Sequence, residues 1–218
     1  MNTTIAISRL IGSDAGEIAK RLAEALGYDL VDKAILQATL EQYGITRFGK
    51  LYNSTPNLWD LTNSKNIQVI SMLNDTMKAL AYRGRTVILA RGAYAALSDY
   101  SNVLKVRLQA PLAVRVQRMM AREECDDPEQ VEERIVLDDK ARKKFVKLFY
   151  NKKDSDATDF DLVINTAIIS VRTTDEWLLD AVRMFESIEP VTPVQTVSQQ
   201  EVDPLLLDAI DQALQRRR

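Results

Sequence analysis

The chain alternates short runs of apolar and β-branched residues with longer segments whose apolar residues recur at helical spacing. Segment 16–26, for example, places Ile18, Leu22 and Leu26 on one side and predicts an amphipathic helix. Five short runs predict strands, at residues 3–8, 28–32, 86–90, 103–108 and 162–165. Strands that alternate with crossover helices favour a mostly parallel sheet covered by helices on both faces. We therefore predict an α/β fold whose ligands bind beyond the carboxyl ends of the strands.

The other helices follow from the same spacing, and two prolines support them. Pro111 and Pro128 suit the first turn of a helix. Further helices are predicted at residues 34–43, 67–82, 111–123, 127–150 and 175–188. Residues 44–64 contain two glycines, Pro56 and several asparagines, which predict an extended loop. Loops of that length are often functional.

Composition changes sharply near the C-terminus, where residues 190–204 contain three prolines and three glutamines. We predict a domain at residues 1–188, a linker at 189–204 and a helix at 205–218. We expect a protein partner or a second copy of the chain to cover the apolar stripe of that helix, and we expect deletion of residues 190–218 to leave the core folded. The stripe consists of Leu205, Leu206, Ala209, Ile210 and Ala213.

Composition and charge exclude several classes of function. At 218 residues the chain suits one domain with a full core. A net charge of -2 and a pI near 5.4 provide no field to attract nucleic acid or an anionic membrane. The single cysteine, Cys125, and the lack of a long apolar run predict a cytoplasmic protein. Because the chain has no histidine, its chemistry must use carboxylates, lysine, arginine and backbone amides, and we expect no metal site built by the protein.

The turn between the first strand and the first helix, residues 8–16 (SRLIGSDAG), is the first candidate site. In such a turn, backbone amides and the helix N-terminus converge on an anion. A loop of the form GxxxxGK[ST] would add a lysine and a magnesium-binding hydroxyl, but Gly16 and Glu17 stand at those positions and Asp14 adds negative charge. The alternative is an ordinary turn capped by Ser13 or Asp14. The candidate phosphate-binding residues are Gly12, Ser13, Asp14, Ala15, Gly16 and Glu17.

Two residues at strand ends are candidates for binding an acceptor. Arg91 follows a strand predicted to be buried, where its guanidinium can hold a phosphate with two donors or can pair with a surface carboxylate. Asp32 ends the second strand and either positions the acceptor phosphate or its magnesium, or caps the next helix. The aromatic residues of the following loop, Phe48, Tyr52 and Trp59, either cover an acceptor base or pack against the surface.

The helical pair at residues 111–150 is rich in arginine and lysine. Arg118 and Arg122 are four residues apart and share a helix face, as do Asp138 and Arg142. Phosphoryl transfer needs positive groups around the transferred oxygens and a lid that excludes water. We favour Arg122 and Arg142 as transition-state charges, and the alternative is that the segment is a solvated face.

Five segments follow one another along the chain: residues 7–9 (ISR) with 12–13 (GS) and 17–19 (EIA), 31–36 (VDKAIL), 87–93 (VILARGA), 139–142 (DKAR) and 160–166 (FDLVINT). In their order and spacing they resemble the cytidylate kinase-like family over about residues 3 to 187. The resemblance implies a P-loop kinase-type parallel sheet with a helical lid. It also implies transfer of a phosphoryl group from ATP, with Mg²⁺, to a nucleoside monophosphate.

The resemblance also assigns residues to roles. It implies that Arg91 binds the acceptor monophosphate and that Arg122, Asp139 and Arg142 occupy lid positions. In the family's cytidylate kinases an aspartate that helps to read cytosine follows this arginine, whereas Gly92 follows it here, which leaves the accepted base open. Lys20, one helical turn beyond the loop, is a candidate to replace the missing lysine. Two functions follow: a nucleoside-monophosphate kinase-like phosphotransferase, or a catalytically impaired nucleotide-binding protein with a degenerate loop.

Overall fold

The computed structural model describes residues 3–154, 156–187 and 202–217. Its five strands agree with the sequence prediction to within a residue or two at each end. All of them run parallel in one sheet, in the order β2-β3-β1-β4-β5. Their bounds are β1 Thr4–Arg9, β2 Asp29–Val31, β3 Thr86–Leu89, β4 Val103–Gln109 and β5 Leu162–Asn165.

Helices connect the strands, as the alternating pattern predicts. The last helix of the main domain begins four residues earlier than predicted, because the hydroxyl of Ser170 accepts a hydrogen bond from the N–H of Thr173 at 3.1 Å and caps it. None of the helices within the described ranges has both the length and the apolarity needed to cross a membrane. The helices are α1 Ala15–Leu26, α2 Lys33–Gln42, α3 Phe48–Asn53, α4 Ser64–Arg83, α5 Ala93–Ala96, α6 Leu112–Glu123, α7 Pro128–Tyr150, α8 Val171–Ser187 and α9 Pro204–Gln215.

The central strand divides its side chains between two hydrophobic cores. Successive strand residues point to opposite faces, so Ile5 and Ile7 pack in one core with residues of α1 and α8. Ala6 packs in the other core with residues of α2, α4 and α9. The sheet is therefore buried on both faces, and its carboxyl edge remains as the place for a site.

Residues 44–64 are not the extended loop that the glycines and asparagines predict. Phe48, Leu51 and Tyr52 are buried and lie on one face of α3, at the helical spacing of three and four residues. A 3-10 helix, Leu58–Leu61, follows and begins with a capping box in which Asn57 and Asp60 bond reciprocally. The apolar spacing at the start of this stretch was the signal for a helix.

The packing of the C-terminal helix differs from the sequence prediction, in which another protein or a second copy of the chain covers the apolar stripe. In the structure α9 packs on α2 and α4 of the same chain. Leu206, Ile210 and Ala213 belong to the core on that side of the sheet, and Ile210 is 0% exposed. Only Leu205 of the stripe is largely exposed. The chain itself therefore covers this stripe. Most of the predicted linker, residues 189–201, lies outside the described residues, and α9 begins at Pro204.

Candidate functional site

Two arginines extend side by side from neighbouring strands at the carboxyl edge of the sheet. The register between β1 and β3 pairs Ile7 with Leu89. Arg9 and Arg91 each lie two residues beyond this pair, where the strands give way to loops. In parallel α/β sheets this edge is where ligands bind.

A cavity of about 420 Å³ opens at this edge. Four cationic side chains line it, Arg9, Lys33, Arg91 and Arg142, against two carboxylates, Asp32 and Asp138. Burial, and then the neighbouring Arg142, lower the pKa of the guanidinium of Arg91. The excess of positive groups suits an anion. Its lining comprises Arg9, Asp32, Lys33, Ala34, Gln37, Tyr52, Asn53, Leu89, Ala90, Arg91, Asp138 and Arg142.

Arg91 is fixed by contacts on several sides and is only 5% exposed. Its backbone N–H donates to the hydroxyl of Tyr52 and its Nη1 to the carbonyl of Tyr52, both at 2.5 Å. Its Nη2 donates to Asp138 at 3.2 Å, and the guanidinium lies 5.1 Å from the ring centroid of Tyr52 and 5.7 Å from that of Phe145. Arg91 therefore does pair with a carboxylate, which was the alternative interpretation of the sequence. That carboxylate, Asp138, lines the cavity. Arg91 is thus oriented before any ligand binds.

Arg142 has the same burial as Arg91 but no comparable partner. It is 4% exposed, its Nε is buried without a hydrogen bond, and it makes no hydrogen bond or ion pair to any residue that the structure describes. It lies four residues from Asp138 on α7, so that both face the cavity, as their spacing predicts. A buried cation without a counter-charge is unfavourable. A bound anion would offset that cost.

The loop between β1 and α1 forms a second cleft, of about 270 Å³. Gly12 has a φ of 80°, and a Cβ there would lie 2.9 Å from the Cβ of Arg115, so glycine is required. The hydroxyl of Ser13 donates to the carbonyl of Leu10 at 2.7 Å, and the hydroxyl of Thr166 donates to the carbonyl of Ser13 at 3.1 Å. These bonds fix the loop. The lining comprises Arg9, Leu10, Ile11, Gly12, Ser13, Asp14, Ala15, Gly16, Leu89, Met119 and Arg122.

Asp14 does not cap α1 through its side chain; instead its carboxylate pairs with two arginines of α6. It lies 2.9 Å from Arg118 and 2.7 Å from Arg122. The negative charge that the sequence places in the loop is therefore compensated. Arg122, predicted as a transition-state charge, does reach the loop, but its partner is an aspartate of this chain.

Asp139, predicted at a lid position, lines neither cavity. Both of its oxygens accept from Arg115, at 3.2 and 2.8 Å. Arg115 also donates to the carbonyl of Ile11 at 3.3 Å. This bidentate pair joins α7 to α6 and to the phosphate loop, so the structure gives Asp139 a positioning contact.

Three further sequence candidates have local partners. Asp32 caps α2 by accepting from the N–H groups of Ala34 and Ile35, and it also pairs with Arg217 at 2.8 Å at the edge of the cavity. Glu17 is exposed on α1 and does not line the loop cleft. Lys20 is also exposed; it pairs with Glu24 at 3.9 Å and does not line the loop cleft.

The residue after Arg91 is closely packed. Gly92 has a φ of 81°, and a Cβ there would lie 2.6 Å from Cε2 of the Tyr150 ring. The hydroxyl of Tyr150 donates to Asn74 at 2.8 Å, which holds the ring in place. Tyr150 therefore occupies the space into which a side chain at position 92 would extend. Of the loop aromatics, Tyr52 lines the cavity while Trp59 is 82% exposed.

Two contributors to the site lie in segments that the sequence identified, the loop and the arginine-rich helical pair, but sequence reasoning assigned neither residue a role of its own. Arg9 lines both cavities, and Arg115 holds the loop. Arg9 stands at the end of a buried strand, which is the same signal that identified Arg91. The role of Arg115 depends on the packing of two helices and has no local signal.

The parallel sheet, the loop after its first strand and the arginine-bearing helices define the class of P-loop kinase folds. The model of the cytidylate kinase-like family matches residues 4–168, and the chain belongs to that family.

Individual relatives agree with this placement. A cytidylate kinase of Methanosarcina barkeri (strain Fusaro / DSM 804) is 26% identical over 165 residues, which cover 74% of this chain and 86% of the relative. A cytidylate kinase of Methanopyrus kandleri is 28% identical over 178 residues, 77% and 86% of the two chains. Among solved structures, an uncharacterized protein from Eubacterium ventriosum matches with a TM-score of 0.62 at 22% identity, over 83% of this chain and 98% of that one. Shikimate kinase from Bacteroides thetaiotaomicron matches with a TM-score of 0.53 at 13% identity, over the same shares. These structures share the fold.

Proposed function

We propose that the protein is a nucleoside-monophosphate kinase-like phosphotransferase of the cytidylate type, which moves a phosphoryl group from ATP to a nucleotide. The observation that carries this proposal is the junction of two cavities. The arginine-lined cavity and the phosphate-loop cleft share Arg9 and Leu89 in their linings. A donor in one and an acceptor in the other would bring their phosphates together at this point.

In this proposal the arginine-lined cavity holds the acceptor. Arg91 and Arg142 bind the acceptor's phosphate, since both are buried and face the cavity. Lys33 and Tyr52 form another part of the wall, where the Lys33 ammonium lies 5.9 Å from the ring centroid of Tyr52. Tyr150 fills the space beside Gly92, so this wall of the cavity offers no side chain at position 92 to contact the base.

The loop cleft is proposed to hold the donor's phosphates. Glycine at position 12, an open surface at Gly16 and the N-terminus of the twelve-residue helix α1 fit an anion. Arg118 and Arg122 lie beside it, held by Asp14. Magnesium would neutralise charge on the donor's phosphate oxygens. We assign it to the donor phosphates, because magnesium keeps phosphate and water ligands and the described residues contain no cluster of three metal-ligating side chains.

The alternative function is a nucleotide-binding protein that has lost catalysis. Gly16 and the pairing of Asp14 with Arg122 favour it, because position 16 offers the donor no lysine and Arg122 is already paired. Both functions predict nucleotide binding. Only the first predicts turnover.

A coupled kinase assay with ATP·Mg and each nucleoside monophosphate, run beside calorimetry, separates the two. In Arg142→Gln the acceptor affinity should fall by about 1.5 to 3 kcal/mol, the scale of a charge-assisted hydrogen bond. Because Arg142 has no partner among the described residues, this loss would not reflect a broken internal contact. Arg172→Gln is the control, since Arg172 is exposed on α8 and lines neither cavity. Turnover would support the kinase, and nucleotide binding without turnover would support the alternative. If the protein neither binds nor turns over any nucleotide, both functions are wrong.

A further inference from the structure

We propose that Arg9 and Arg142 form an oxyanion site at the junction of the two cavities, in which Arg9 takes the place of the loop lysine that Gly16 lacks. The ligand class is a phosphate or a transferred phosphoryl group. The assignment to the transferred group rests on the proposed function, whereas the anion site itself stands on the geometry.

The position of Arg9 distinguishes it from the other cations. Arg9 is the last residue of β1 and the only arginine that lines both the acceptor cavity and the loop cleft among the residues described. Leu89, its neighbour on β3, is the other residue shared by the two linings. A phosphoryl group that moves from one cavity to the other must pass beside these two residues.

Arg9 makes no ion pair with a carboxylate among the described residues, although Asp138 acts on its charge from a distance. Four other site arginines have carboxylate partners: Arg91 with Asp138, Arg115 with Asp139, and Arg118 and Arg122 with Asp14. Across the described parts of the chain, Arg9 and Arg142 make no such pair and no hydrogen bond. Burial, and then the charge of Arg142, lower the pKa of Arg9. Two like charges held together in this way favour a doubly charged anion between them.

Other candidates for a loop cation are less well placed. Lys20 is exposed and does not line the loop cleft, and Arg122 pairs with Asp14. Gly16 has no side chain. Among the described residues that line the cleft, Arg9 is the cation available to a phosphate without breaking an ion pair.

In the transfer that we propose, an oxygen of the acceptor's phosphate forms a bond to the γ-phosphorus of the donor. The bond from that phosphorus to the β–γ bridging oxygen breaks, and its electron pair leaves with the nucleoside diphosphate. Arg9 would hold the oxygens of the transferred group while the bonds change. The guanidinium remains protonated throughout.

The first test uses inorganic phosphate as the probe, because it requires neither a donor nor an acceptor. Phosphate should raise the thermal midpoint of the full-length protein. Arg9→Met should raise the midpoint without phosphate, because it removes repulsion from Arg142. The same variant should bind phosphate about tenfold or more weakly. Arg9→Gln, which keeps a polar side chain, should also lose phosphate affinity and decides the matter if Arg9→Met does not fold. Arg172→Met is the matched control and should change neither quantity.

Unchanged phosphate affinity in Arg9→Met or Arg9→Gln would overturn the proposal, as would a wild-type protein that does not bind phosphate. The kinase assay separates this failure from failure of the proposed function. If the wild-type protein turns over and both Arg9 variants keep its kcat and both KM values, the kinase stands and the role of Arg9 fails. If phosphate binding depends on Arg9 and no monophosphate is turned over, the anion site stands and the kinase fails.

Discussion

The carboxylate of Asp14 lies 2.7 Å from the guanidinium of Arg122, across the mouth of the phosphate loop. Arg118 holds the other oxygen at 2.9 Å. Asp14 adopts the left-handed conformation, with φ of 57°, which positions it as the residue before α1. A donor phosphate in the loop would compete with this carboxylate for the same two arginines. We therefore expect this ion pair to limit the affinity of the loop for anions.

Replacement of Asp14 by asparagine should tighten donor binding. An asparagine side chain tolerates the left-handed backbone of this position and would leave both arginines available. We expect ATP·Mg to bind at least about tenfold more tightly, a gain of about 1.4 kcal/mol. Calorimetry measures this affinity. Asp75→Asn is the control, because Asp75 pairs with Lys78 on the surface and lines neither cavity. Equal affinities in the wild type and Asp14→Asn would show that the arginines do not meet the donor.

Gly16→Lys should add the cation that the loop lacks. A Cβ at Gly16 meets nothing within 4 Å, and the residue lies in the first turn of α1. Lysine is also a better helix former than glycine, by up to about 1 kcal/mol. We expect tighter ATP·Mg binding without loss of thermal stability. Gly16→Ala isolates the effect of the backbone. An alanine variant that gains as much affinity as the lysine variant would exclude a role for the charge.

The sequence predicted the sheet and most of the helices because both depend on local apolar spacing. The strand-end position of Arg91 and the shared helix face of Asp138 and Arg142 are local in the same sense, and the structure brings these three residues to one cavity. The family resemblance then assigned the loop and the helices to a single function, phosphoryl transfer. Where the sequence relied on composition alone, as at residues 44–64, it missed α3.

The rest of the site depends on contacts between distant segments. Arg122 meets Asp14 across 108 residues, and Arg115 meets Asp139 between two helices. No local pattern indicates which carboxylate will reach which arginine. The same limit explains the C-terminal stripe: an apolar helix face predicts a partner surface, but not whether that surface is another chain or this chain's own α2 and α4.

A side chain at position 92 should destabilise the protein. In Gly92→Asp the new Cβ would lie 2.6 Å from Cε2 of Tyr150, and the aspartate would have to adopt a positive φ. We expect a loss of about 1 to 3 kcal/mol in denaturant unfolding and no gain in preference for CMP over UMP or AMP. Gly44→Asp is the matched control, because Gly44 also has a positive φ, of 72°, but an open environment. If Gly92→Asp and Gly44→Asp lower the free energy of unfolding equally, the Tyr150 ring moves aside at no cost and the packing explanation is wrong. A CMP preference in Gly92→Asp would show that the cavity can still read cytosine.

The C-terminal helix should contribute to the stability of the core. Ile210 is 0% exposed and packs in the core formed with α2 and α4, so Ile210→Ala should cost about 2 to 4 kcal/mol in the free energy of unfolding. Leu205→Ala on the same helix should cost little, because Leu205 is 69% exposed. Denaturant titration of the two variants measures the difference.

Deletion of residues 202–218 gives the complementary test, and here the structure reverses the expectation drawn from composition. The truncated chain would expose the apolar surfaces of α2 and α4 that α9 covers, and Asp32 at the arginine-lined cavity would lose its partner Arg217. We expect a thermal midpoint far below that of the full chain, or loss of cooperative unfolding. Arg217→Ala separates the two effects, since the pair is partly exposed and should be worth less than about 1 kcal/mol to stability. A truncated protein that unfolds cooperatively at the wild-type midpoint, together with a stable Ile210→Ala variant, would mean that α9 is a separable tail.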